Sequence, residues 1–154
     1  MKNIFYWMLF LWIFILLAFI YFLSGIGQEE KNEEKIITKI IDGDTVIVEG
    51  GETIRLLGID CDEKGKKCYT PAKKYIEEQF LGKTAVLKSG KDDKDIYGRS
   101  LRYIFVDGES VNLKMVAEGL CVARLENDKS TYSEEIRAAE SDAIVGKIGC
   151  KWKI

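Results

Sequence analysis

Three short clusters of acidic residues and arginine carry the groups in this sequence that could do chemistry. They are Asp42-Gly43-Asp44-Thr45, Asp60-Cys61-Asp62-Glu63 and Asp95-Ile96-Tyr97-Gly98-Arg99, with Arg55 between the first two. The chain of 154 residues has no histidine, which excludes Ser-His-Asp and Cys-His triads and His-ligated zinc. Any catalysis must therefore use carboxylates, Lys, Arg, Tyr or Cys.

Each cluster also has a simpler structural interpretation. Asp42 to Thr45 is by itself typical of a turn between two strands, and Arg55 could be a solvated residue on an outer strand face. Asp60 to Glu63 could be an acidic loop, and Asp95 to Arg99 could be a hairpin. A functional site is favoured only because the clusters occur together, in this order, along a single pattern of predicted strands.

The elements that must position these residues follow from hydrophobic alternation and turn residues. The pattern predicts a three-stranded meander, a helix with Thr70 as N-cap and Pro71 at its first position, two more strands and two final helices. The predicted strands are 36–41, 45–48, 53–59, 84–88 and 101–106, and the predicted helices are 70–81, 112–118 and 131–145. This order is typical of a mainly β fold with helices (α+β), a five-stranded OB-like barrel with three helices.

On this pattern, several separated motifs together resemble the staphylococcal nuclease (thermonuclease) family. The resemblance runs from about Lys39 to Trp152, nearly the whole chain after its first segment. The matching stretches are Ile40–Thr45, Ile54–Asp60, Glu63, Tyr69–Ala72, Tyr97–Arg99, Val111–Asn112 and Glu118–Leu120.

The resemblance implies a calcium-dependent endonuclease that hydrolyses phosphodiester bonds of DNA and RNA and leaves 3′-phosphate ends. Asp44 and Asp60 correspond to the family's metal carboxylates, and Cys61 replaces a threonine that lends its backbone carbonyl to the metal. Ca²⁺ is a hard cation that prefers carboxylate, carbonyl and water oxygens, so a chain without histidine can hold it.

The resemblance also assigns Arg55, Glu63 and Arg99 to catalysis and Tyr97 to nucleotide binding. Two guanidiniums and a cation can offset the negative charge that develops on a phosphodiester during hydrolysis. Glu63 is the matched carboxylate left to orient or deprotonate the attacking water.

The sequence departs from the family pattern beside these residues. Asp62 stands before Glu63 where the family commonly has proline, and the loop from Lys64 to Thr70 is shorter than in the secreted staphylococcal enzyme. Leu125 falls where that enzyme places a tyrosine over the bound nucleotide. These departures concern substrate preference more than the cleavage machinery.

The N-terminal segment favours a membrane anchor. Ile4 to Leu23 is a run of 20 apolar residues, and a helix of that length spans about 30 Å, the thickness of a bilayer's hydrocarbon core. The positive charge of Lys2 before the run favours an outward-facing C-terminal domain. Cleavage as a signal peptide after the small residues at 25–27 remains the alternative, which would give a secreted product.

The sequence therefore divides into an anchor or signal segment (1–27), a polar linker (28–35) and a nuclease-like domain (36–154). The expected partners are DNA and RNA, with single strands preferred, and the membrane through residues 4–23. The formal net charge of −2 gives no general attraction to nucleic acid, and no obligate protein partner is implied.

Two other functional classes stay open at this point. Related barrels that have lost their active-site residues bind nucleic acid or protein without cleaving it, so a non-catalytic OB-like module on a membrane anchor is one alternative. A structural or interaction domain on a membrane stalk is the other. Neither class explains why two arginines and three carboxylates stand at the positions of the family's motifs.

The four cysteines predict disulfides, because an outward topology places them in an oxidising compartment. The spacing favours the pairs Cys61–Cys68 and Cys121–Cys150, although four cysteines allow three connectivities. In this arrangement the first bond would fasten the shortened catalytic loop and the second the C-terminal tail.

Overall fold

The computed structural model describes residues 2–25, 32–125 and 131–153. The chain divides into two compact units, Met1–Glu30 and Lys31–Ile154. The first contains helix α1 (Lys2–Gly25), along which large side chains such as Trp7, Trp12 and Phe14 are exposed. Taken over the part of the chain that the structure describes, no helix reaches the length and apolar content of a membrane span. Residues 26 and 27 of the proposed cleavage site and the first half of the predicted linker, 28–31, lie outside the described residues.

The described residues of the second unit form eight strands and four helices. Its strands are β1 (Glu33–Ile40), β2 (Thr45–Val48), β3 (Thr53–Leu56), β4 (Ile59–Cys61), β5 (Thr84–Lys94), β6 (Ser100–Val106), β7 (Glu109–Ser110) and β8 (Cys121–Ala123). Its helices are α2 (Tyr69–Phe80), α3 (Val111–Ala117), α4 (Thr131–Val145) and α5 (Gly149–Trp152).

Five of these strands close a barrel, as the sequence predicts. The sheet runs β3-β2-β1-β5-β6, and β3 also pairs with β6 to complete the circle. All neighbours are antiparallel except the β3–β6 pair, which is parallel. Alternate apolar side chains of the strands fill the interior because successive residues of a strand face opposite sides.

The predicted strand 53–59 is two strands separated by a kink. β3 ends at Leu56, Gly58 has a φ of +74°, and β4 leaves the barrel to pair with β8. A positive φ favours glycine, which lacks a Cβ. The kink matters for the site because it separates Arg55 from Asp60 along the chain while leaving their side chains in contact.

Several element boundaries differ from the sequence prediction. β1 begins at Glu33, inside the predicted linker, and β5 extends to Lys94 rather than 88. β7, β8 and α5 were not predicted because two to four residues are too short for a recognisable period.

The predicted caps of two helices are wrong. α2 begins at Tyr69 with Cys68 at its N-cap position, so Pro71 is its third residue and Thr70 is not the cap. α3 is capped by Ser110, whose Oγ accepts a hydrogen bond from the Leu113 N–H at 3.2 Å. Asn112, predicted to cap α3, is instead buried and donates to the Leu57 carbonyl at 2.8 Å.

The predicted disulfide pairing is also wrong. The bonds join Cys61 to Cys121 and Cys68 to Cys150, with Cα–Cα distances of 4.3 and 5.5 Å. Cys61 and Cys121 lie directly opposite each other in the β4–β8 pair, which the sequence did not reveal. Short sequence spacing favoured Cys61–Cys68, but the pairing of β4 with β8 places Cys121 directly opposite Cys61, within the distance that a disulfide spans.

Candidate active site

The buried part of the site starts from the turn between β1 and β2. The Asp42 Oδ1 atom accepts a hydrogen bond from the Asp44 N–H at 3.1 Å, an Asx-type contact that fixes the turn. A Cβ atom on Gly43 would lie 2.8 Å from the Cβ of Ala72 and 2.9 Å from that of Cys61. The cluster is therefore a turn, as its simpler interpretation states, and the turn also directs Asp44 toward β3 and β4.

Arg55 contacts both predicted metal carboxylates, Asp44 and Asp60. Its Nη1 lies 2.8 Å from Asp44 Oδ2, and its Nη2 lies 3.0 Å from Asp60 Oδ1. The Arg55 and Asp44 side chains are 15% and 8% exposed, whereas Asp60 is 41% exposed. One planar guanidinium thus holds a buried and a half-exposed carboxylate side by side.

Burial shifts the acid–base behaviour of Asp44. Loss of solvent raises its pKa to about 6, although the positive charge of Arg55 and the Cys61 N–H, 2.8 Å from Oδ2, both favour the ionised form. When Asp44 and Asp60 are both ionised, these two carboxylates and the Arg55 guanidinium together carry a net negative charge. A cation bound here would relieve the cost of keeping Asp44 charged.

These donors fit a hard divalent cation in their chemistry. Asp44 and Asp60 offer carboxylate oxygens, and Cys61, whose N–H already contacts Asp44, offers a backbone carbonyl. Among residues 2–25, 32–125 and 131–153, no group of three or more His, Cys, Asp or Glu side chains could hold a metal. A cation at this position would therefore complete its shell with the carbonyl and with water, which Ca²⁺ accepts.

Arg99 reaches the buried carboxylate through a threonine. Its Nη1 lies 3.4 Å from Thr45 Oγ1, and that hydroxyl donates to Asp44 Oδ1 at 3.1 Å. The Arg99 guanidinium also lies 5.5 Å from the centre of the Tyr97 ring, which is within cation–π range. The structure thus brings Tyr97 and Arg99 together and connects them with the Asp44 cluster.

Asp95 orients these two residues from within the same turn. Its Oδ2 accepts from Arg99 Nε at 2.7 Å, and its Oδ1 accepts from the Tyr97 and Arg99 backbone N–H groups at 2.9 and 3.0 Å. Desolvation acts to raise the pKa of Asp95, but these hydrogen bonds outweigh it and hold the pKa below its usual value. Tyr97 itself stays 79% exposed and accessible to a ligand.

Glu63 lies in the exposed loop after β4, three residues beyond Asp60. Its backbone carbonyl accepts from the Lys66 N–H at 3.0 Å, which turns the loop. Asp62, the residue that replaces the family's proline, accepts from the Cys68 N–H at 2.8 Å and from Lys151 Nζ at 2.7 Å. The loop is therefore constrained on both sides of Glu63.

A cavity of about 450 Å³ lies beside Leu125, which is predicted to stand near the position where the secreted staphylococcal enzyme has a tyrosine. Arg124 lines it and also places Nη1 at 3.6 Å from Asp60 Oδ2, so the cavity adjoins the carboxylate cluster. The other lining residues are Ala123, Leu125, Arg137 and Glu140.

Sequence reasoning missed the residues that support the site rather than form it. Asp95 could have been found, because it stands four residues before Arg99 inside a motif already singled out. Thr45 likewise belongs to the first motif. Lys151 carries no sequence signal, since its contact with Asp62 depends on α5 folding back across the domain.

Comparison with known proteins agrees with this geometry. The family model described as "Staphylococcal nuclease homologue" matches residues 53–153. The chain is 31% identical to a thermonuclease of Staphylococcus hyicus over 78% of this chain and 76% of the relative. It is 29% identical to a thermonuclease of Staphylococcus intermedius over 93% and 94%.

A further relative is the endonuclease YncB of Bacillus subtilis, 32% identical over 77% of this chain and 63% of the relative. The matched family region contains Arg55, Asp60, Glu63 and Arg99. With a closed five-stranded barrel and a joined arginine–carboxylate cluster, the chain belongs to the staphylococcal nuclease family of hydrolases.

Proposed function

We propose that this protein is a calcium-dependent endonuclease that hydrolyses DNA and RNA and leaves 3′-phosphate ends. The observation that carries the proposal is Arg55 bridging Asp44 and Asp60, with Arg99 joined to the same Asp44 through Thr45. Asp60 stays 41% exposed beside the buried Asp44, so a cation or a phosphate can reach the cluster from solvent, which favours a catalytic site over a non-catalytic module.

Asp44, Asp60 and the carbonyl of Cys61 would hold the cation. When bound, Ca²⁺ would supply Lewis-acid polarisation of a phosphoryl oxygen and would offset negative charge. Its binding would also compensate the ionised Asp44, which burial disfavours.

The two arginines and Glu63 perform distinct steps in this proposal. Glu63 orients a water and accepts its proton as the water oxygen attacks phosphorus. The P–O5′ bond then breaks, the 5′-oxygen takes a proton from a solvent water, Glu63 returns its proton to solvent, and the phosphate stays on the 3′-oxygen. Arg55 and Arg99 stabilise the charge that develops on the phosphoryl oxygens, and a planar guanidinium meets two such oxygens at once.

Tyr97 supports the expected preference for single strands. Its ring is exposed beside Arg99, and an unpaired base can stack on such a ring whereas a base inside a duplex cannot. Leu125 falls near the position where the secreted staphylococcal enzyme has a tyrosine, so Tyr97 supplies the larger stacking contribution in this proposal.

Residues 4–23 are proposed to anchor the domain at the outer face of the cell membrane. The uninterrupted apolar run supports the anchor, and two disulfides suit an oxidising compartment. Full-length protein should remain with membranes after an alkaline wash, and protease added to intact cells should remove the domain. A soluble product beginning near Gln28 would support the cleaved signal segment instead.

The test of the activity uses the full-length protein in detergent. It is incubated with single-stranded DNA or RNA, with calcium or with a chelator, and the product ends are identified by mass spectrometry. Glu63→Gln should lose most activity because an amide cannot accept the proton of water, and Glu49→Gln, at an exposed glutamate outside the site, is its matched control. Equal cleavage by parent and Glu63→Gln would assign the activity to a contaminant or to another site.

A further inference from the structure

The loop that carries Glu63 is fastened to the C-terminal segment by three links. The Cys68–Cys150 disulfide closes its far end, Lys151 forms an ion pair with Asp62 at its near end, and Lys67 Nζ donates to the Lys153 carbonyl at 3.0 Å. On the C-terminal side, the three links are formed by Cys150, Lys151 and the backbone carbonyl of Lys153. This segment therefore acts on the loop as one unit.

Asp62 forms the best-defined of these links. Its Oδ1 lies 2.7 Å from Lys151 Nζ, and its Oδ2 accepts from the Cys68 N–H at 2.8 Å. The Asp62 and Lys151 side chains are 15% and 17% exposed, so solvent screens the pair only partly. The Lys151 hydrogen bond, helped by that of Cys68, holds the pKa of Asp62 below its usual value.

The C-terminal segment is itself held firmly. The Lys151 N–H donates to the Gly119 carbonyl at 3.0 Å, directly after α3. A Cβ atom at Gly119 would lie 2.0 Å from the Ile148 carbonyl oxygen, so the two backbones touch. The backbone that carries Lys151 is therefore held in place by these contacts, and its side chain contacts Asp62 from a fixed position.

We infer that Asp62 and Lys151 are positioning residues for Glu63, acting together with the Cys68–Cys150 bond. This inference rests on the proposed nuclease function and on the role given there to Glu63. Glu63 is exposed and stands next to Asp62, so the loop backbone sets where its carboxylate can lie. Because a displacement of about 1 Å can lower a rate by about a hundredfold, loosening the loop should reduce turnover while leaving the metal and phosphate ligands in place.

The test measures cleavage by full-length Asp62→Asn and Lys151→Gln. The expected result is a fall in kcat of about tenfold or more, with KM and the calcium requirement changed less than about twofold. Lys151→Arg should recover most of the loss because it restores the charge. Lys153→Gln is the matched control, since Lys153 contributes its backbone carbonyl to the loop and its side chain is exposed.

A double-mutant cycle separates positioning from general destabilisation. Combined with Glu63→Gln, Asp62→Asn should lower the rate no further, because no proton acceptor is left to position. Additive losses, or single variants within twofold of the parent, would overturn the inference. If Lys151→Gln folds poorly, as judged by circular dichroism, the Cys68→Ser/Cys150→Ser variant gives the same cycle.

The outcomes also separate this inference from the proposed function. A parent that does not cleave, or that cleaves equally well as Glu63→Gln, contradicts the proposed function. An active parent whose Glu63→Gln variant is inactive, with Asp62→Asn and Lys151→Gln unaffected, contradicts the positioning role alone.

Discussion

The candidate site has two parts that are held in different ways. Asp44 and Arg55 lie in or beside barrel strands, are almost completely buried and contact each other directly. Glu63, Tyr97 and Arg99 lie on loops, and Tyr97 is 79% exposed. The barrel part is fixed by the fold, whereas each loop needs a carboxylate of its own to hold it.

Those two loop carboxylates are Asp95 and Asp62. Asp95 holds its loop locally, through Arg99 and two backbone N–H groups of the same turn. Asp62 holds its loop through a distant residue, Lys151. The difference teaches that replacing the buried side chains of Asp44 or Arg55 should affect folding and catalysis together, whereas replacing side chains on the loops should affect catalysis alone.

The largest expected effect separates the two arginines. Arg55→Lys and Arg99→Lys should each lower kcat by about a hundredfold or more, because losing one preorganised donor costs about 3 kcal/mol of barrier stabilisation. Arg55→Lys should also lower the melting temperature without calcium, because a lysine ammonium cannot contact Asp44 and Asp60 as the planar guanidinium does. Arg99→Lys should leave the melting temperature unchanged. Arg137→Lys is the exposed control, and equal melting of both variants would contradict the division into two parts.

The next prediction concerns pH and calcium. The folded-state pKa of Asp44, about 6, is raised above its usual value of 3.8, so without calcium its ionisation reduces stability as pH rises through this range. Calcium requires the ionised form, so the rise in melting temperature on adding calcium should be larger at pH 7.5 than at pH 5. Below pH 6, apparent calcium affinity should fall by about tenfold per pH unit if this one proton competes.

The Asp44→Asn variant sharpens that prediction. It should need more calcium for activity, and it should lose the difference in calcium stabilisation between pH 5 and pH 7.5. Thermal melts with calcium and with a chelator, at both pH values, measure the effect. An unchanged difference would show that another group titrates.

A smaller effect is expected at the exposed ring. Tyr97→Leu should raise KM for single-stranded DNA by about fivefold to a hundredfold, as removal of base stacking costs about 1–3 kcal/mol, with kcat changed less. Tyr97→Phe is the matched control that keeps the ring. If Tyr97→Leu lowers kcat instead, the ring positions Arg99 rather than the substrate.

The smallest effect on activity is expected at Gly43. Gly43→Ala places a Cβ against Ala72 and Cys61, so it should reduce the free energy of unfolding by about 1–3 kcal/mol. Activity at a temperature where the variant stays folded should remain within severalfold of the parent. Denaturant unfolding with a parallel activity assay checks both statements.

The barrel could be predicted from the sequence because its signals are local, and the structure brings the predicted residues Asp44, Arg55, Asp60 and Arg99 together. Alternating β-branched runs define the strands, and Asp44, Arg55 and Arg99 stand inside short motifs. The disulfide partners, β8 and the Asp62–Lys151 pair could not be predicted in the same way. They form because residues 119–123 and 149–153 pack against segments that are distant in sequence. A local hydrophobic pattern does not indicate such long-range contacts.

The parallel pairing of β3 with β6 has a consequence for the order in which activity arises. Arg55 lies on this pairing opposite Leu101, and Arg99 directly precedes Ser100, the partner of Ile54. A chain that has formed only the β1–β3 meander and the β5–β6 hairpin carries the two arginines on separate pieces. Contacts between segments so distant in sequence are slow to form. Given the proposed roles of the two arginines, recovery of cleavage after dilution from denaturant should report closure of the barrel, and a half-folded chain should leave nucleic acid intact.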